Sequence, residues 1–244
     1  MSEIEIKREV GIEEPFFIEG LPGTGLASKI AADHVVDKLD MEFFATVEAD
    51  GLPDVMIFEE DERDLKEPVR MYVDEESGLV ALTSDVLVSA VDVDDFASTV
   101  VEWIEGRNAK PLFLSGFPSG AEDKGVYGVT TGEAGKMLED ADIEPPKQRG
   151  VVGGPTGALL HNSEKKGIEA ACLVVDTDPQ FPDPVAARML IDQGVEPIAG
   201  FDIGTDELTE RAEKIKEQKQ KLAKMLQQAE SHEKGQAFPE GMYE

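Results

Sequence analysis

Two alternating periods of apolar positions run through the first two hundred residues: short unbroken apolar runs, then stretches with apolar side chains three or four places apart. The run PFFIEG predicts a strand ending in glycine. LASKIAADHVVDKL, with Leu26, Ile30, Val35 and Leu39 at helical spacing, predicts the helix that follows, and MEFFATVEAD predicts a second strand. Strand, helix and strand within roughly thirty-five residues form a βαβ unit, which implies parallel pairing through a right-handed crossover. VRMYVDEESGLVALTSD reads as a hairpin turning at Glu76-Ser77-Gly78. A helix follows from about Val93 to Glu105, with Phe96, Val100 and Ile104 on one face, Asp94 and Asp95 at its positive end and Gly106 to stop it.

PLFLSG and VYGVTT are strands, and GEAGKMLEDA is a short helix. GVVGGPTGALLHNSEKKGIEAACLVVDTD reads as strand, glycine turn, helix stopped by Gly167, and strand. Asp183 can cap a helix opened by Pro184 and ended by Gly194. Alternation of this kind predicts an α/β fold, a three-layer sandwich with helices on both faces of a mostly parallel sheet.

The pattern changes at about Gly204. β-branched residues almost vanish, and Lys, Glu and Gln dominate. Leu208, Ala212, Ile215, Lys219, Leu222, Leu226 and Ala229 alternate spacings of four and three, a heptad seam interrupted by Lys219. A helix over residues 205–232 would be ~40 Å long. Its seam is narrow, so it packs either on its own domain or on a neighbouring subunit. HEKGQAFPEG has linker composition and leads to Met242-Tyr243-Glu244. The expected organisation is an α/β domain over 1–204, a helix over 205–232 and a flexible tail over 233–244.

Charge narrows the function. With 52 acidic against 23 basic side chains the net charge is −29, which repels phosphate backbones and anionic lipid. Neither a nucleic acid nor a membrane surface is an expected partner. The same excess matches proteins that stay soluble in concentrated salt, where self-repulsion is screened. The single cysteine, Cys172, excludes an internal disulfide and sits in an apolar run as a small buried residue. MSEIEIKREV has no apolar leader core, and no run approaches a bilayer span, so a cytoplasmic protein is expected.

The chemical motifs are incomplete. GLPGTGLASK has the outer glycine spacing of a phosphate loop, but Leu26 stands where the lysine must be. Gly23-x-Gly25-x-x-Ser28 lacks the third glycine of a dinucleotide fingerprint. SGFPSG does not centre a serine between glycines as a nucleophile elbow does. His34, His161 and His232 are scattered without metal-ligand spacing, and neither a cofactor nor catalysis is expected. Two uses of the glycines stay open: tight strand-to-helix turns, or amides of Gly23, Gly25, Gly153, Gly154 and Gly157 holding an anion in an α/β enzyme or small-molecule binder.

FFIEGLPGTGLASKIAADHVVDKLDMEFFATVEADGLPDV and GGPTGALLHNSEKKGIEAACLVVDTDPQFPDPVAARMLI together resemble the proteasome assembly chaperone family over about residues 12 to 200. The resemblance implies an α/β sandwich related in shape to nucleoside phosphorylases, a kinship of fold that does not establish catalysis, and homo-oligomers in prokaryotic members. Some members end in a hydrophobic-Tyr-X tail that enters pockets between α-subunits of the 20S proteasome. By that resemblance Met242 is the apolar anchor, Tyr243 the tyrosine, and Glu244 the bearer of the carboxylate that pairs with a lysine. An oligomer would present several such tails and gain by effective concentration.

Repulsion among 52 carboxylates against 23 cations reaches ~30 Å at 0.01 M salt but only ~3 Å at 1 M. The thermal midpoint is therefore expected to fall on dilution from molar salt into 0.01 M. Thermal melts at graded salt check this, and a flat or rising midpoint would count against adaptation to salt.

Overall fold

The computed structural model describes residues 1–59, 63–88, 93–119, 124–210 and 212. Eight strands form one sheet: β1 (Glu3–Ile6), β2 (Phe16–Gly20), β3 (Glu42–Glu48), β4 (Val69–Asp74), β5 (Leu79–Ser84), β6 (Lys110–Pro118), β7 (Val126–Thr130) and β8 (Ala171–Thr177). The helices are α1 (Ala27–Lys38), α2 (Val93–Gly106), α3 (Gly135–Asp140), α4 (Gly154–Lys166), α5 (Pro184–Leu190) and α6 (Glu196–Ala199). Strand order is β1-β3-β4-β5-β2-β6-β8-β7.

β2 lies at the centre, parallel to β5 on one side and β6 on the other, and β6 is parallel to β8. The flanking pairs β1–β3, β3–β4, β4–β5 and β7–β8 are antiparallel. The sheet is thus mixed, with a parallel centre, rather than mostly parallel. Connection length gives the reason. Parallel neighbours need a crossover of a dozen residues or more, whereas only 75–78 join β4 to β5 and only 119–125 join β6 to β7. The βαβ unit is also corrected: β3 runs in the same sense as β2 but does not pair with it, because the β4–β5 hairpin lies between them.

Period-two alternation along the buried strands divides the core in two, as expected when both faces of a sheet are covered. Phe17, Val80, Leu82, Phe113 and Cys172 pack with α2 and α4 on one face. Ile18, Ala81, Leu112, Leu114 and Leu173 pack with α1 and α5 on the other. This is the three-layer arrangement that the alternation predicts. Trp103 of α2 anchors the first core, its ring centroid 5.8 Å from Phe17 and 6.0 Å from Phe44.

Helix α1 buries small residues, Ala27, Ala31, Ala32 and Val35, while Ile30 and Leu39 of the predicted stripe are only half-buried. The GVV segment at 150–152 is not a strand. Gly194 does not end a helix. After α5 the chain makes a π-helical turn over Ile191–Val195 and continues into α6. A Cβ at 194 would collide with the Leu173 side chain, so the glycine lets this turn lie close on β8.

The helix expected at Thr205 begins at residues 206–210. Thr205 Oγ1 donates to Asp192 Oδ1 (2.7 Å) rather than capping it. Leu208 is fully buried in the α1/α5 core, so the first seam position packs on its own domain. Ile215, Lys219, Leu222, Leu226 and Ala229 of the seam, His232 and the tail Met242-Tyr243-Glu244 lie outside the described residues. Among the described residues no helix is long and apolar enough to cross a membrane.

Candidate functional site

Strands β2, β3, β5, β6 and β8 share one direction, so their C-terminal ends meet at one edge of the sheet. Ligands of open α/β sheets bind along such an edge. Both glycine turns from the sequence lie there, at 20–26 after β2 and at 153–157 around the start of α4.

The first turn is packed shut. Gly25 has φ +64, and a Cβ there would run into the Thr177 hydroxyl and stand 2.8 Å from the Asp178 carbonyl. A Cβ on Gly116 of β6 would strike the Thr24 carbonyl. Gly25 O accepts the Asp183 N–H at 2.8 Å, and Ser28 Oγ donates to Leu21 O at 2.9 Å. The Thr24 and Gly25 backbone of this turn is therefore pressed against the ends of β6 and β8 and the loop before α5. The Leu21 and Leu26 N–H groups donate to Glu19 Oε1 and Gly23 O. Lys29 is also committed elsewhere, pairing with Asp33 (2.8 Å) and Asp85 (3.0 Å).

Asp183 secures the other half of this junction. As predicted it caps α5, with Oδ1 accepting the Ala186 N–H at 3.1 Å. Its Oδ2 takes the Thr177 hydroxyl (3.0 Å) and the Asp178 N–H (2.9 Å) and pairs with Lys124. Burial works to raise its pKa, but the Lys124 ammonium and the two backbone donors outweigh it and hold the carboxyl below its usual range.

The second turn meets the first through a residue whose role the sequence hides inside PFFIEG. Glu19 on β2 is completely buried. Its Oε1 accepts the Leu21 N–H (3.0 Å) from the first turn and the Thr156 hydroxyl (3.1 Å) from the first turn of α4. Oε2 has no partner among the described residues. Desolvation raises the pKa to about 7, against the opposing pull of the Leu21 N–H, the Thr156 hydroxyl and the Leu114 N–H. The carboxyl group held at the start of α4 is thus the protein's own. An acid inside the apolar run of a central strand was the available signal.

Of the candidate anion residues, Gly23 is extended (φ −140) and Gly154 has φ +61, while a Cβ on Gly157 would lie 2.5 Å from the Val152 carbonyl. Gly153 is extended (φ −118) and open, with nothing within 4 Å of a Cβ. Gly153 therefore has room for a side chain, and the constraint falls on its neighbours Gly154 and Gly157. His34 is buried, with Nε2 donating to Gly204 O (2.7 Å), and His161 is exposed on α4. Cys172 is fully buried and its thiol pKa is pushed up by desolvation. No group of three His, Cys, Asp or Glu side chains among the described residues could hold a metal ion.

Two outcomes follow. Gly25→Ala should cost at least about 2 kcal/mol, while Gly153→Ala should stay within about 0.5 kcal/mol; urea unfolding measures both, and equal losses would contradict the geometry. For Glu19 the folded pKa lies above the unfolded value, so the folded state holds the extra proton between about pH 4.5 and 7 and loses stability as pH rises through that window. The advantage of Glu19→Gln over wild type should grow by about 3 kcal/mol from pH 4 to pH 8. Unfolding series at fixed salt test this, and a difference independent of pH would contradict it.

Comparison with known proteins agrees with this architecture. Residues 17–223 match the model of the PAC2 family. An uncharacterized protein of Methanocaldococcus jannaschii is 29% identical over 220 residues, covering 89% of each chain. Among solved structures, Pyrococcus furiosus PbaA, described as an archaeal homolog of proteasome-assembly chaperone, superposes with TM-score 0.81 at 24% identity, covering 96% of this chain and 97% of its own. Pyrococcus furiosus PbaB, described as an archaeal proteasome activator, gives TM-score 0.78 at 23% identity over 91% and 98%. With more than three quarters of its length matched by the family model, this chain belongs to the PAC2 family.

Proposed function

We propose that this chain is a proteasome assembly chaperone or adaptor that works by binding. In this reading it forms a homo-oligomer whose Met242-Tyr243-Glu244 segments dock between α-subunits of the 20S core, either aiding assembly or modulating access. The observation that carries the reading is the fold shared with PbaA and PbaB along nearly the whole chain. The residue types of the tail support it: a flexible apolar side chain, an aromatic ring with a hydroxyl, and an acidic residue, after a linker rich in glycine and proline.

The anion-binding alternative is weaker on geometric grounds. The Leu21 and Leu26 N–H groups of the first turn donate within the protein. The first turn of α4 already holds the Glu19 carboxyl group, which disfavours an added anion there whenever Glu19 is ionised. Binding through a short tail is individually weak, so several tails on one oligomer give the reading its reason for self-association.

Tyr243→Ala should weaken capture of 20S α-rings by about thirtyfold, the loss typical of a buried aromatic anchor. The thermal midpoint should not move. Titration against immobilised core particles in molar salt measures this, and equal affinity of the two proteins would contradict the tail as the docking element.

A further inference from the structure

A separate cavity of about 290 Å³ opens on the α4 face of the sheet. Its floor comes from alternate residues of three strands: Phe117 of β6, Val174 and Asp176 of β8, and Tyr127 and Val129 of β7. The segment 146–152, expected from sequence to contain a strand, forms its wall instead. Both aromatic rings are held in place. A Cβ on Gly150 would stand 3.1 Å from the Phe117 ring, and one on Gly125 would stand 2.5 Å from the Tyr127 hydroxyl, so both rings lie directly on backbone. The site is built before any ligand arrives.

Asp176 defines its chemistry. The residue is only 5% exposed, yet among the described residues its carboxylate accepts a single hydrogen bond, from the Gly125 N–H to Oδ2 at 3.1 Å. Of the nearby cations, Lys124 pairs with Asp183, while Lys147, on the rim, is 3.7 Å from an exposed Glu144 and holds its ammonium 5.9 Å from the Tyr127 ring centroid. Among the described residues no donor reaches Oδ1, on the wall of a cavity whose aromatic and aliphatic lining is joined by Ser119, Lys147 and Gln148. A buried carboxylate in this state is satisfied by a ligand that brings charge and a donor together.

We propose that this cavity binds a small aromatic amine, its ammonium donating to Asp176 Oδ1 and its ring lying against Phe117 and Tyr127. The volume suits a single ring with a short arm. The Asp176 carboxylate disfavours phosphates and carboxylates, so this site differs in both place and charge from the glycine turns. It requires no bond to be made or broken, and it stands independently of proteasome docking.

The test is calorimetric titration of the full chain with phenethylamine, and with 3-phenylpropionate as a control of similar shape and opposite charge. Molar salt screens general attraction of a cation to so acidic a protein. Phenethylamine should bind once per chain and phenylpropionate not at all. Asp176→Asn, which keeps an acceptor for the Gly125 N–H, should weaken the amine by tenfold or more. In the wild-type protein, nuclear Overhauser contacts should link the amine's ring to Tyr127 and Val174, a readout that needs no variant to fold. Equal binding of both probes, no binding of the amine, wild-type affinity in Asp176→Asn, or contacts that omit Tyr127 and Val174 would each overturn the proposal.

Discussion

The C-terminal edge of the sheet depends on one close approach, that of the turn after β2 to the ends of β6 and β8. It is possible because Gly25 has no side chain where the Thr177 hydroxyl lies, and because Gly116 leaves room for the Thr24 carbonyl. Asp183 closes the contact from the other side, its amide on Gly25 O and its carboxylate on Thr177, Asp178, Ala186 and Lys124. The two sequence blocks that carry the family resemblance are the two sides of this junction. Gly25 and the Asp183-Pro184 pair are thus explained by packing. A phosphate is not needed to account for them.

Three buried carboxylates near this edge show how an acid-rich chain handles acids in its interior. Asp183 keeps its charge because a lysine and several donors surround it. Glu19 has only dipolar partners, and burial raises it until a proton can neutralise it near pH 7. Asp176 has one amide and an open cavity. These three are matters of local structure, separate from the acid excess of the whole sequence.

Most elements were legible because apolar period and turn chemistry agreed. The β4–β5 hairpin turns where Gly78 takes φ +74, and Asp183 with Pro184 opens α5 as their residue types require. What was not legible was long-range. Nothing local in MEFFATV says that a later hairpin will separate that strand from β2. Gly194 looks like a helix stop until the Leu173 side chain against it is known. Gly153 and Gly154 are adjacent and identical in sequence, yet only the second adopts positive φ. Glu19 and Asp176 each sat within a run that reads as strand, and only the packing of α4 and of 146–152 gives them roles.

The turn after β2 is thus filled by packing within the domain, and the proposed function rests on contacts with other molecules. The most direct measurement is an electron-microscopic map of the full chain bound to a 20S core particle in molar salt. The account predicts density for Met242-Tyr243-Glu244 between neighbouring α-subunits. Density showing attachment through the α/β domain, with the α-subunit pockets empty, would contradict it.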